Sequence, residues 1–161
     1  MSQSRIVQEF IELVQLPVHS RDERVIADVV RIKLEQIGLS VEEDGTAEKV
    51  NGNTGNLIAR LPGVQGIPTV LLSAHLDRVK NPGMITPVID EANGIIKSDG
   101  TTILAADDVS GLCSIMDGVR RIVESAKPHG DIEVVFSVCE EQAVIGSKEL
   151  DFTKLKAKFG V

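Results

Sequence analysis

The 161-residue chain contains no tryptophan, no tyrosine and only four phenylalanines. It therefore lacks the aromatic platforms on which single-stranded nucleic-acid binders stack bases. Basic residues are also in deficit: 17 Lys and Arg face 24 Asp and Glu, for a formal net charge of −7. That balance argues against nucleic acid and against anionic membrane surfaces as partners. Cysteine is scarce, with Cys113 and Cys139 both set in apolar stretches, so no disulfide framework is expected and a reducing compartment is the default. No run approaches the roughly 18 apolar residues of a membrane span. Residues 1–16 are charged and amphipathic, without the unbroken apolar core of a signal peptide. These absences predict a soluble, cytoplasmic protein with no nucleic-acid or membrane partner.

What is present is globular: 42% hydrophobic and 25% charged residues, values that exclude disorder. Apolar residues recur at helical spacing over 6–16, and Pro17 ends that helix. Ser20-Arg21-Asp22-Glu23 has the form of a capping box for a second helix, whose stripe runs from Val25 to Ile37 and stops at Gly38. Residues 42–54 read as a strand start and a loop. Residues 56–61 alternate as a strand, and 69–74 are apolar enough for a strand covered on both faces. Residues 88–90 and 95–97, joined through Asn93-Gly94, read as a β-hairpin. A helix over 109–126, a buried strand over 132–139, a short helix over 147–155 and a strand start at 156–161 complete the pattern. The alternation predicts an α/β fold with helices on both faces of a mixed, mostly parallel sheet. In such sheets, functional side chains gather where strands end and helices begin.

Three such ends carry titratable residues. His75 and Asp77 follow the 69–74 strand and, at period 2, project to one face. A carboxylate there can hold one ring nitrogen and leave the other for a metal; a plain His–Asp hydrogen bond is the alternative. Asp107 and Asp108 precede the 109–126 helix, where adjacent carboxylates call for a cation or for capping amides. Glu140 and Glu141 end the 132–139 strand, where a solvated strand exit would also explain them. Taken together, one imidazole and several carboxylates converging on one crevice suit zinc. A carboxylate bridging two ions is the device of two-metal hydrolases, and a further one can act as general base. His19 and His129 end no apolar strand and read as exposed bystanders. Cys139 beside Glu140 and Glu141 reads as a packing residue rather than a nucleophile.

The chain resembles the di-zinc metallopeptidases that include peptidase T, the aminoacylases and the glutamate carboxypeptidases, with peptidase T the nearest branch. The resemblance rests on four ordered stretches: Gly52-Asn53-Thr54-Gly55-Asn56-Leu57 with Pro62-Gly63; Ser73-Ala74-His75-Leu76-Asp77; Ser98-Asp99-Gly100-Thr101-Thr102 leading to Ala106-Asp107-Asp108; and Phe136-Ser137-Val138-Cys139-Glu140-Glu141 with Ile145-Gly146-Ser147-Lys148. It implies a layered α/β/α catalytic domain and two zinc ions. By position, His75 would bind one zinc, Asp77 would support His75, Asp107 would bridge both ions and Glu141 would bind the second. Glu140 would be the general base, and the Asp107–Asp108 peptide would be cis. The implied activity is removal of an N-terminal residue from short peptides; N-acyl amino acid deacylation or carboxypeptidase action are the alternatives within the family.

Three positions depart from the family pattern: Arg78 after Asp77, Val109 after the paired aspartates, and Gln142-Ala143-Val144 in place of a Gly-rich step. The resemblance further implies that residues 1–161 are the N-terminal part of a longer catalytic domain. A lid and dimerisation domain, a further Asp ligand and a second His ligand would lie elsewhere. On that expectation each zinc keeps two protein ligands here. The isolated chain would then be a non-catalytic remnant or weak metal-binding module, with an uncovered sheet edge that favours self-association.

Overall fold

The run Ile132–Ser137 is apolar at all but two positions and forms strand β6, buried along its whole length. In the computed structural model, which describes residues 4–81 and 83–161, this strand is central. It pairs antiparallel with β2 (Leu57–Leu61) and parallel with β3 (Val70–His75). β1 (Ser40–Glu43) extends the sheet antiparallel to β2, giving the order β1-β2-β6-β3. The sheet is mixed, as expected, but not mostly parallel: its β1–β2 and β2–β6 pairings are antiparallel, because β1 and β2 turn back on each other, and only the β6–β3 pairing is parallel.

One face of the sheet carries helices α1 (Arg5–Val14), α2 (Arg24–Ile37) and α4 (Ala106–Ser125). Leu13, Ile26, Leu34, Leu112 and Met116 meet Leu57, Val134 and Phe136 there in one core. Each such side chain contributes roughly 1.5–3 kcal/mol by leaving water. Strand alternation sends Ile58 and Val135 to the opposite face, where Leu150 covers them. Leu150 lies between the short helix α5 (Ile145–Lys148) and a 3-10 turn at Phe152–Lys154. The expected 147–155 helix is thus two short pieces. The hairpin is present as β4 (Pro87–Asp90) and β5 (Ile95–Ser98), a separate two-stranded sheet turned at Gly94 with φ 65°.

Several expectations need correction. β3 is only partly buried, because it lies beside the last residues of the chain rather than in the middle of the sheet. Its amides at Leu71 and Ser73 donate to Phe159 and Val161, and Val161 N donates back to Leu71. The strand start at the end of the chain is therefore present, reduced to one parallel bridge at Gly160. Residues 42–54 hold a short helix, α3 (Thr46–Val50), started by Asp44 Oδ1 accepting from Thr46 N at 3.0 Å. At five residues it is too short to show a period. The capping box is absent: neither Ser20 nor Glu23 caps α2 through its side chain. Arg21, at φ 74°, turns the chain so that Ser20 points elsewhere. Asn53 Oδ1 instead accepts from Arg24 N at 3.0 Å.

Glu43 ties these elements together. It accepts from the Arg24 guanidinium at 2.6 Å, from Arg31 at 3.2 Å, from Thr54 Oγ1 at 3.0 Å and from Gly55 N at 2.9 Å. Burial pushes its pKa up, but Arg24, the Gly55 amide and Thr54 outweigh that and hold it at about 2 rather than 4.5. Because the folded value is depressed, the stabilisation is fully present above pH 4.5 and fades as pH falls through 2. Allowing for partial solvent screening, Glu43→Gln should lower the unfolding free energy at neutral pH by about 2 kcal/mol. In urea titrations the gap from wild type should close as pH approaches 2; a pH-independent gap would contradict this assignment.

Candidate metal and catalytic site

Because β3 and β6 run parallel, with His75 level with Ser137, their carboxyl ends emerge at the same edge. Leu76 N donates to Ser137 O at 2.8 Å and prolongs the pairing by one step. Leu76 enters the core, and His75 and Asp77 share the other side. The chain after β6 turns at Cys139, whose φ of 53° is left-handed. Asp107 and Asp108 arrive from the start of α4, where Ala105 has φ 59° and the Asp107–Asp108 peptide is cis, as the resemblance implies.

Asp77 is 1% exposed and surrounded by donors. Its Oδ1 accepts from Glu140 N at 2.8 Å, and its Oδ2 from Ser20 Oγ at 2.6 Å and Glu141 N at 3.2 Å. His75 Nδ1 lies 3.4 Å from Asp77 Oδ1 and 2.9 Å from the Asp77 carbonyl. Burial pushes the Asp77 pKa up, but His75, Ser20 and the two amides outweigh it and hold the carboxyl below its usual range.

His75 is buried, and its Nε2 faces outward to Asp107 Oδ1 at 2.9 Å, with Glu140 Oε2 3.8 Å away. Burial lowers its pKa, yet Asp77, Asp107 and the charge of Asp108 together raise it to about 9. The Asp107 side chain is 84% exposed and that of Glu140 40% exposed, so both face solvent beside His75. Glu141 is also exposed; its pKa is raised by partial desolvation and by the charge of Asp107 and Glu140. The adjacent aspartates divide the two roles weighed for them. Asp108 Oδ1 accepts from Gly111 N at 3.0 Å and caps the regular part of α4, whose helical dihedrals begin after it. A Cβ at Gly111 would collide with that carboxylate. Asp107 is left to face His75.

Of the five singled-out residues, His75, Asp77, Asp107 and Glu140 have their side chains together, and Glu141 joins them through its amide on Asp77. His19 and His129 bond to the neighbouring carbonyls of Ser20 and Gly130 and take no part. Cys139 is buried, and desolvation and Glu23 push its thiol up to about 12, in keeping with a packing role. The donor chemistry, one imidazole among carboxylates, fits zinc. Among the described residues, however, no three such side chains stand as a ready-made ligand cluster: His75 Nε2 and Asp107 are in direct contact.

Two supports escaped the sequence. Asn56, fully buried, donates to Asp44, Thr46 Oγ1 and the Gly146 carbonyl, and accepts from Val138 N at 3.0 Å, clamping the turn after β6. A polar residue leading an apolar strand is the only signal it gives. Arg78 is 2% exposed and donates to the carbonyls of Leu13, Val14 and Leu16. It caps the C-terminal end of α1, where a cation is favoured. The altered Gln142-Ala143-Val144 step places Ala143 and Val144 at φ 60° and 53°, which a glycine would adopt freely.

Residues 56–158 match the model of the family described as Peptidase family M28. Among curated relatives, the uncharacterized protein YqjE of Bacillus subtilis is 36% identical over 160 residues, covering 99% of this chain and 43% of that protein. Among solved structures, the aminopeptidase PepT of Bacillus cereus superposes with a TM-score of 0.93 at 40% identity, covering 99% of this chain and 43% of that one. A tripeptidase from Staphylococcus aureus gives 0.91 at 36% identity, covering 97% and 42%. The chain thus spans less than half the length of these relatives.

Two outcomes follow from the geometry. Asp77→Asn puts an amide donor among donors and should cost about 3 kcal/mol in chemical denaturation. In the metal-free chain it should also move the His75 titration, followed by NMR, down from about 9. A raised histidine pKa stabilises the fold fully below 6.5, and that contribution is lost as pH rises through 9. An unchanged midpoint would rule out Asp77 as its holder. Separately, Val144→Gly should raise stability by about 1 kcal/mol, because it removes a β-branched residue from a left-handed position; a drop in the thermal midpoint would refute this.

Proposed function

The chain belongs to peptidase family M28, and from that premise we propose that it serves a zinc-dependent, peptidase T-like aminopeptidase acting on short peptides. Residues 1–161 are, on this proposal, the N-terminal part of the catalytic domain. The observation that carries it is the contact of His75 with Asp107 and Glu140 at the end of β3, with Asp77 behind the imidazole and holding the amides of Glu140 and Glu141.

His75, Asp107 and Glu141 would hold zinc. When bound, zinc supplies a Lewis acid that polarises the carbonyl of the peptide. The protein's own residues do the rest. Asp77 takes the inner ring nitrogen of His75 and so leaves the outer one to face the crevice. The cluster of Asp107, Asp108, Glu140 and Glu141 around one imidazole creates a negative field that draws a cation in and disfavours anionic competitors. Glu140 stands at the mouth with its carboxylate 40% exposed and neighbouring His75, where it can take a proton from attacking water and return it to the leaving amine.

Zinc titration of the chain, read by a competing chromophoric chelator, tests the ligand set. His75→Ala and Asp107→Ala should each weaken zinc binding about tenfold or more, whereas Glu140→Gln should leave it within about twofold. In the complete enzyme, of which these residues are on this proposal the N-terminal part, Glu140→Gln should lower kcat for tripeptide hydrolysis by about 10²- to 10⁴-fold. Zinc binding indifferent to His75→Ala would sink the proposal.

A further inference from the structure

Ser20 and Glu23 bound a turn that reaches the site from behind, without adding a side chain to its mouth. Ser20 Oγ donates to Asp77 Oδ2 at 2.6 Å. Glu23 is fully buried, and its Oε1 gathers three donors: Arg21 N at 2.9 Å, Cys139 N at 3.1 Å and Cys139 Sγ at 3.4 Å. Its Oε2 has no hydrogen-bond partner among the described residues. A buried carboxyl group without a cation is costly, and helix capping does not account for it, since Asn53 supplies an acceptor to Arg24 N. What Glu23 does touch is the residue immediately before Glu140. Cys139 is non-glycine and left-handed at φ 53°, a conformation that persists only where its surroundings impose it. With Cys139 so held, the next two amides, of Glu140 and Glu141, both point at Asp77.

We propose that the Ser20–Glu23 turn is a positioning device for the site: Glu23 fixes Cys139 in its left-handed turn while Ser20 fixes Asp77, and together they set Glu140 and Glu141 against His75 and Asp107. This rests on the proposed role of those residues, yet concerns chain segments that the metal would not touch. Glu23 and Ser20 are positioning residues, acting through Cys139 and Asp77. The S-x-x-E spacing that resembles a capping box serves the site instead.

Amide hydrogen–deuterium exchange on the 161-residue chain tests the proposal whether or not metal is bound. Glu23→Ala should accelerate exchange at Glu140 and Glu141 by about tenfold relative to Val134 in the central strand. Glu23→Gln, which retains an oxygen acceptor for Cys139 N, should stay within about threefold of wild type. Where Glu23→Ala folds poorly, Ser20→Ala carries the test, with about threefold acceleration expected at the same two amides. Unchanged exchange at Glu140 and Glu141, or a rise only in step with Val134, would overturn the positioning role. Zinc affinity of Glu23→Ala should fall by about tenfold in parallel. If wild type binds no zinc while the exchange effect stands, the metal assignment fails and the positioning role survives.

Discussion

The buried carboxylate of Asp77 is the constraint on which the rest of the site depends. Three segments meet on its two oxygens: the turn before α2 through Ser20, the end of β3 through His75, and the turn after β6 through two consecutive amides. A carboxylate that buries itself so completely must be compensated at every lone pair. Here that compensation comes from groups that also fix the imidazole of His75 and the backbone of Glu140 and Glu141. Stability and positioning are therefore the same set of hydrogen bonds, and little freedom is left to improve one without affecting the other.

Much of this architecture is readable in the sequence because it follows from periodicity. The α2 stripe ending at Gly38, the Asn93-Gly94 hairpin and the wholly apolar face of β6 each correspond to a local rule, and the structure contains all three. The contact of His75 with Asp77, Asp107 and Glu140 is also legible, since each sits where an apolar segment ends in an α/β sheet. Less legible is anything fixed by a distant partner. Arg78 departs from the family pattern because its guanidinium travels to the end of α1, more than sixty residues away in sequence. Ser20 and Glu23 mimic a local cap, but their partners are Asp77 and Cys139. α3 is too short for its pattern to register, and the exposure of β3 depends on what lies beside it.

Buried acidic groups recur as fasteners rather than as reagents. Glu133, in the middle of β6 and 1% exposed, accepts from the amides of Lys156 and Ala157 and so brings the last residues alongside β3. Glu43, half-buried, does the same for the loop that carries Thr54 and Gly55. The carboxylates of Asp107 and Glu140 beside His75, and that of Glu141, instead remain turned to solvent. Part of the chain's acidity is thus spent on backbone amides inside the protein.

The distances along the chain between the partners of Asp77 have a kinetic meaning. Ser20 precedes it by 57 residues, and Glu140 and Glu141 follow it by 63 and 64. Closing loops of that length carries an entropic cost that local contacts cannot offset in advance. The crevice therefore does not exist in a partly synthesised or partly collapsed polypeptide; it is among the last features to take shape. Before the sheet is assembled these acids and His75 are scattered along the chain, and the finished sheet gathers them around Asp77.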